Sequence, residues 1–362
     1  MKRSKNVNLN IVLCFILGVL PIILLYIKFV LDKDTPNGFE RIIYNTVLNP
    51  EQKHHVDLKY PGYYMAGFDI SGLFLGNTAA PAHILRATPP FNDTTHINLD
   101  ITVGPNDHYN PKSLKLFADK STLYLVDGNR GVILEGPKVS FSPFEIHQID
   151  SVPFSKFVPL QEDHGYIIKS YDPVLGQDIL KKRAMKPPLD SMPIFVLDKQ
   201  FDGVFCTDGM LMVTPDKKQI FHIYYYRNQI ICLNQNLKTL YRTKTIDTIS
   251  QAQVHITNLK EGTQRTFDRP PLRVNRKVAL NDSLLLIHSA LRADNENITL
   301  FNTQSVIDVY KVDNGDYHFS FYVPSYLNKK MNDFQLIGSF LFVLYDTHLV
   351  TYTLSLDKLL SI

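Results

Sequence analysis

Along residues 334–354 apolar side chains alternate between two breaks, at Gly338-Ser339 and Asp346-Thr347. Phe340, Phe342 and Leu344 stand on one side, Leu341, Val343 and Tyr345 on the other. Period-two alternation bounded by turn formers predicts three short strands joined by tight hairpins. Looser versions of this unit recur upstream. A first set occupies 63–69, 72–76, 83–86 and 96–103; a second occupies 115–117, 121–126, 131–134 and 145–149, with Asp127-Gly128 as a hairpin turn. A third covers 156–158, 166–171, 178–182 and 194–197, and a fourth 203–206, 209–213, 219–226, 229–233 and 239–242. The fifth runs through 277–280, 283–288, 306–311 and 317–323, and residues 334–354 supply the sixth. Between 250 and 275 the pattern weakens around Arg269-Pro-Pro271, and 252–267 reads as outer strands or an inserted hairpin. No segment after residue 60 keeps a helical period over ten residues, so this region is expected to be nearly all β.

The N-terminal pattern differs in kind. From Asn6 to Ile27 there is no charged side chain, and at ~1.5 Å per residue that run reaches about 33 Å, enough to cross a bilayer core. A cleaved signal peptide is the alternative. The run is longer than a usual signal core, and the exit Lys28–Asp34 has no small-x-small cleavage site, which favours a retained anchor. Cys14 lies inside the apolar run after Val12-Leu13 and does not read as a lipid-attachment site. Lys2, Arg3 and Lys5 place the N-terminus in the cytoplasm and the rest outside it, in the periplasm of a bacterium with a single-pass inner-membrane anchor. The expected organisation is a basic tail at 1–8, a transmembrane anchor at 9–31, a stalk at 32–60 with a short helix near 39–48, and the β domain at 61–362.

Sandwiches close at about 100 residues, so ~300 residues would need several with linkers between them. No such linker divides this chain. Four-strand sets recurring every ~40–50 residues match a propeller's blade period, in which each blade buries its two apolar faces against its neighbours. The runs 339–346 with 348–354, and 308–310 with 317–321, resemble the middle strands of divergent six- or seven-bladed β-propellers. They are similar to uncharacterised, singly anchored propeller proteins of Bacteroidota-type bacteria. The resemblance spans about 60–358 and implies an all-β propeller of six blades, or of seven if 250–275 or 39–60 adds one. The chain has no Trp, which removes the WD dipeptide, the Asp-box tryptophan and the tryptophan docking motif of quinone-cofactor propellers.

Charge narrows the function. Of 38 basic and 35 acidic side chains, residues 1–32 hold four and one, so the remainder carries 34 of each. A neutral body has no general attraction for nucleic acid. Cys206 and Cys232 remain in the exported part, and their spacing leaves open a disulfide or two buried thiols. No Gly-x-Ser-x-Gly elbow occurs for nucleophilic catalysis. Because propeller lactonases and lyases hold a cation with Glu, Asn and Asp at the inner mouth, Glu145, Glu162, Asp69, Asp163, Asn281 and Asp333 are the candidates, each equally a turn former. His147, His222, His288 and His318 sit in strand runs, where packing outweighs ligation; His164 beside Glu162-Asp163 is a local acidic cluster, and His54-His55 lacks a third ligand. Tyr224-Tyr-Tyr-Arg227 with Tyr241-Arg242 combines hot-spot residue types with strand propensity, and the core reading is favoured. Lys181-Lys-Arg183 and Lys329-Lys330 read as solvated turns.

No catalytic residue, cofactor or metal set is assigned. The expected function is a membrane-tethered binding or scaffolding module, reaching the bilayer through residues 9–31 and a protein, peptide or glycan partner through the propeller face. A metal-assisted hydrolase or lactonase and an accessory subunit of a periplasmic redox system are the alternatives.

Overall fold

The structure is a computed structural model. It describes residues 13–27, 36–69, 72–101, 110–138, 145–148, 152–160, 165–184, 193–194, 196–259 and 264–355. Among them, six four-stranded antiparallel units follow one another along the chain, the first two joined into one eight-stranded sheet by a single parallel bridge. With β1 at Leu48–Asp57, blade 1 comprises β2 to β5 (Tyr63–Asp69, Gly72–Asn77, His83–Ala87, Thr94–Asn98) and blade 2 β6 to β9 (Lys115–Ala118, Thr122–Asp127, Val132–Pro137, Glu145–Gln148). Blade 3 holds β10 to β13 (Phe154–Pro159, Gly165–Asp172, Gln177–Ala184, Pro193–Ile194), and blade 4 β14 to β17 (Gly209–Val213, Gln219–Tyr224, Gln229–Asn234, Thr239–Lys244). A hairpin, β18 and β19 (Ile256–Leu259, Gln264–Phe267), precedes blade 5, which is β20 to β23 (Asn275–Leu280, Leu284–Ser289, Ser305–Lys311, Tyr317–Val323). The last sheet takes β24 to β26 (Asp333–Ile337, Phe340–Tyr345, His348–Leu354), and its outer strand is β1.

Six buried apolar clusters fill the six gaps between successive blades. In β25, Leu341, Val343 and Tyr345 pack with Leu286, Ile307 and Phe319 of blade 5, while Phe342 and Leu344 pack with Leu73 and Leu85 of blade 1. The alternation seen in 334–354 is thus the signature of a strand buried on both faces, each face facing a different blade. Clusters of the same kind join blades 1 and 2, 2 and 3, 3 and 4, and 4 and 5. The first strand of each blade is innermost, and the inner strands of blades 1 and 2, 3 and 4, 4 and 5, 5 and 6, and 6 and 1 touch around the axis. Between blades 1 and 2 the approach is closest at Gly67, bridged to Ala118. A Cβ on Gly67 would lie 1.9 Å from the Ala118 carbonyl oxygen, at φ +145, so this position requires glycine.

The segment expected as a stalk is part of the ring. Residues 39–48 form no helix: Ile43 bridges Ser320 on the outer strand of blade 5, 45–47 turn, and β1 then pairs with β26 from Leu48↔Leu354 to Asp57↔His348. Residues 39–60 therefore close a ring of six blades instead of adding a seventh. Arg41 fixes this segment: its Nε and Nη2 donate to Asp308 at 2.7 and 3.0 Å, and Nη1 donates to Glu296. Burial opposes the guanidinium charge, and Asp308 and then Glu296 more than offset it, so its pKa moves up.

Other expectations fare differently. Residues 203–206 form turns, and 252–267 folds as the inserted hairpin, with Phe267 against Phe205 at 4.5 Å. The short α2 (Ile298–Thr303) connects β21 to β22. Cys206 and Cys232 are free and buried. Of the expected anchor, residues 13–27 form a helix, here α1, and 9–12 and 28–31 lie outside the described residues. Among the described residues no helix is long and apolar enough to cross a membrane.

Two predictions follow from this packing. Removing one partner of a buried ion pair costs about 3–5 kcal/mol, so Arg41→Ala should lower unfolding stability in urea by that amount; a loss under about 1 kcal/mol would contradict the clamp. The second concerns His288, whose pKa burial lowers to about 3, and His222, lowered well below its usual value by burial and then by Lys169. Both are neutral in the folded chain and take protons when unfolded. Their contribution is present above the unfolded pKa of about 6.5 and is lost as pH falls from there toward the folded value. Asp247, raised to about 6 by burial, works in the opposite direction, losing stability as pH rises through 6. The readout is therefore a difference: stability of wild type relative to His288→Gln should fall by about 1.4 kcal/mol per pH unit below pH 6.5, and parallel profiles would contradict it.

Candidate functional site

The inner strands surround an axial channel with two mouths. At the mouth facing the N-terminal ends of those strands is a cavity of about 420 Å³. Its charged lining consists of Lys115 at the start of β6, Lys156 in β10, Lys277 in β20 and Asp333 at the start of β24. A strand sends alternate side chains to opposite sides, and each of these residues stands where the chain enters a blade from the loop before it.

Asp333 is held by the Met65 N–H at 3.3 Å and its ion pair with Lys277 at 3.3 Å, so it also ties blade 6 to blade 1. Lys156 lies 3.5 Å from Asp208, which is also 3.5 Å from the buried Lys169. Lys169 in turn is 2.5 Å from Asp178. Lys115 has no ion pair among the described residues and rests over the rings of Tyr64 and Phe117 at 5.2 and 5.7 Å. It is open to solvent from the cavity yet walled by protein around the ammonium. That shielding, followed by the charges of Lys277 and Lys156, lowers its pKa, with Asp333 acting the other way. Tyr225 completes the wall under Lys156 and Arg273, at 5.1 and 4.6 Å from its ring, and burial with Asp208 nearby raises its pKa, keeping the phenol a neutral donor.

The opposite mouth opens from a cavity of about 670 Å³ lined mainly by apolar side chains. Its lining holds Asp69 and Asp119 against Lys120 and Lys217, which balance in number; Lys217 binds Asp119 at 3.0 Å, and Lys138 beside the cavity binds Asp69 at 2.8 Å. Burial lowers the pKa of Lys217, and Asp119 opposes the shift. No histidine, cysteine or glutamate lines either cavity among the described residues.

The proposed carboxylate and amide ligands do not converge. Asp69 and Asp333 are at opposite mouths, and Asn281 sits in a turn, accepting from the N–H groups of Ser283 and Leu284 at 2.9 and 2.7 Å. Glu162, Asp163 and His164 lie outside the described residues, as do the side chains of Glu145 and His147. His222 is buried, its Nε2–H donating to the Thr207 carbonyl at 3.2 Å, and His288 is packed in β21; His318 stacks near Phe319 at 5.0 Å. His54 and His55 fall in β1, His55 near the Tyr326 ring at 5.8 Å. Tyr224 and Arg227 are core residues, the guanidinium 3.7 Å from the ring, whereas Tyr225 reaches the axial wall. Residues 181–183 lie in β12 rather than a turn, and Lys329 reaches Asp346 at 3.7 Å. The three axial lysines were not singled out as a site in the sequence. The signal was there: each begins the first expected run of its set, at 115, 156 and 277.

No family model matches the chain, and no curated protein matches it. Solved structures do. A protein of Bacteroides fragilis described as exported is similar over 87% of this chain and 99% of its own, at 10% identity and a TM-score of 0.52. A DUF4221 family member from Bacteroides vulgatus is similar over 86% and 99%, at 10% identity and a TM-score of 0.48. A gluconolactonase from Xanthomonas campestris is similar over 87% and 95%, at 10% identity and a TM-score of 0.47. Together with the six stacked blades, the first of these likenesses supports one conclusion about kind: the chain folds as a β-propeller.

Proposed function

We propose that this chain is a non-enzymatic binding and scaffolding module, tethered to a membrane and exposed outside the cytoplasm, whose axial mouth receives an anionic group of a protein, peptide or glycan partner. The observation that carries the reading is the lining of that mouth, three lysines against one aspartate, with Lys115 left without a carboxylate among the described residues. Concave sites with few converging polar groups are the usual places for ligands, and like charges crowded in one wall favour a counter-charge from outside. The metal-assisted alternative needs acidic and amide groups at one mouth, and the described candidates are divided between two mouths and a turn. The tether, expected at 9–31, rests on the uncharged run from Asn6 to Ile27 and on α1, whose Leu13, Phe15, Leu17 and Leu25 are more than half exposed and need apolar surroundings.

Titration of the full chain with pentaglutamate tests the reading. Binding should weaken with added salt and fall at least about tenfold in a Lys115→Gln, Lys156→Gln, Lys277→Gln variant, since hydrogen bonds to charged groups contribute about 1.5–3 kcal/mol each. Equal binding by variant and wild type, or none by either, would overturn it.

A further inference from the structure

The two axial cavities adjoin. Met65, Phe117, Phe157, Leu211, Met212 and Gln335 line both and so stand at the boundary between them. Five of these six are apolar. Beyond them the larger cavity continues with Phe68, Val213, Leu280 and Ile337, and of these Phe68, Val213 and Ile337 are only half-buried although they sit near the middle of the domain. Apolar walls of this size are poorly hydrated and gain from an apolar occupant.

The charges give the passage a direction. The lysine-rich mouth is lined by three lysines and one aspartate, while the other cavity's lining carries two aspartates and two lysines and so no net charge. We infer that the axial passage takes a single-chain anionic amphiphile, an unbranched acyl chain ending in a carboxylate, with the carboxylate at Lys115, Lys156 and Lys277 and the chain running past Met65 and Met212 into the apolar cavity. This rests on the anion-binding reading of the same mouth and adds the ligand's class and orientation. Met65 and Met212, unbranched and flexible, suit a boundary that must part to admit a linear chain.

Photo-crosslinking on the full chain with dodecanoate carrying a diazirine at its chain end tests the inference. Adducts mapped by mass spectrometry should fall on Val213, Leu280 or Ile337, and moving the diazirine to mid-chain should shift them to Met65, Phe117 or Met212. Unlabelled dodecanoate should compete, while acetate and dodecanol should each need at least about ten times the concentration, because each lacks one half of the recognition and a single methylene is already worth about fourfold. Lys115→Gln with Lys277→Gln should lower the yield about tenfold. The two positions of the diazirine give a result that depends on no variant. Adducts confined to residues 13–27, or adducts that ignore the position of the diazirine, would overturn the amphiphile. If pentaglutamate still binds in that case, the anionic mouth survives; if it does not, both readings fall.

Discussion

Everything in this structure depends on closing the ring. Each blade is apolar on both faces, and an open stack would leave two such faces in water. Closure comes from the far end of the sequence: β1 adds the outer strand to a sheet whose other three strands lie about 300 residues later, as the pairing of Leu48 with Leu354 makes plain. Strand pairing alone would leave that junction dependent on an edge. Arg41, with both of its forks occupied by Asp308 and Glu296, and Tyr44, whose N–H donates to Ser320 at 2.9 Å, fasten the approach to blade 5 before the chain enters blade 6. The junction thus spans two blades, and a buried ion cluster sets its register where apolar contact alone is undirected.

The axial passage is a consequence of that closure. Six inner strands held side by side put the first residues of each blade around one mouth, whatever those residues are. Lysine recurs at that station in three blades, and repulsion among the three is only partly relieved by Asp333 and Asp208. Gly67 allows blades 1 and 2 to approach until their inner strands bridge, which brings the apolar section of the passage together. The stability of the ring and the character of its centre are therefore set by different residues, the first by the faces of the middle strands and the second by the heads and tails of the inner ones.

Much of the fold was legible because a strand buried on both faces has nowhere to hide its pattern. The runs at 277–280, 283–288, 306–311 and 317–323 correspond closely to β20 to β23, and the alternation of 340–345 reported two neighbouring blades directly. What was not legible was non-local. Residues 48–57 include Lys53, His54 and His55, exposed on an outer strand, so their polarity read as a stalk; only pairing with β26 makes them structural. Residues 203–206 carried strand-like side chains but are held in turns by the Asp202 carboxylate, which accepts from Val204 and Phe205 N–H groups. The site was missed for a related reason. A lysine near the start of a strand is ordinary once, and it becomes a site only when the topology brings three of them to one axis. Of the acidic candidates, Asp69 and Asp333 stand at opposite mouths, a separation that depends on topology and not on local sequence.

At the centre of the site stands Lys115, an ammonium with no ion pair among the described residues, accessible at the axial mouth and pressed by shielding and by its neighbours' charge toward the neutral amine. Amine-selective labelling of the full chain near neutral pH, read residue by residue by mass spectrometry, measures this directly. Lys115 should be modified several times faster than Lys218, which stands exposed on a surface turn beside Asp216 at 3.2 Å. The ratio of the two rates should be largest near neutral pH and shrink as pH is raised toward the ordinary lysine range, because the depressed pKa gives Lys115 the larger free-amine fraction only while both groups are mostly protonated. A Lys115 rate equal to or below that of Lys218 across the range would contradict the account.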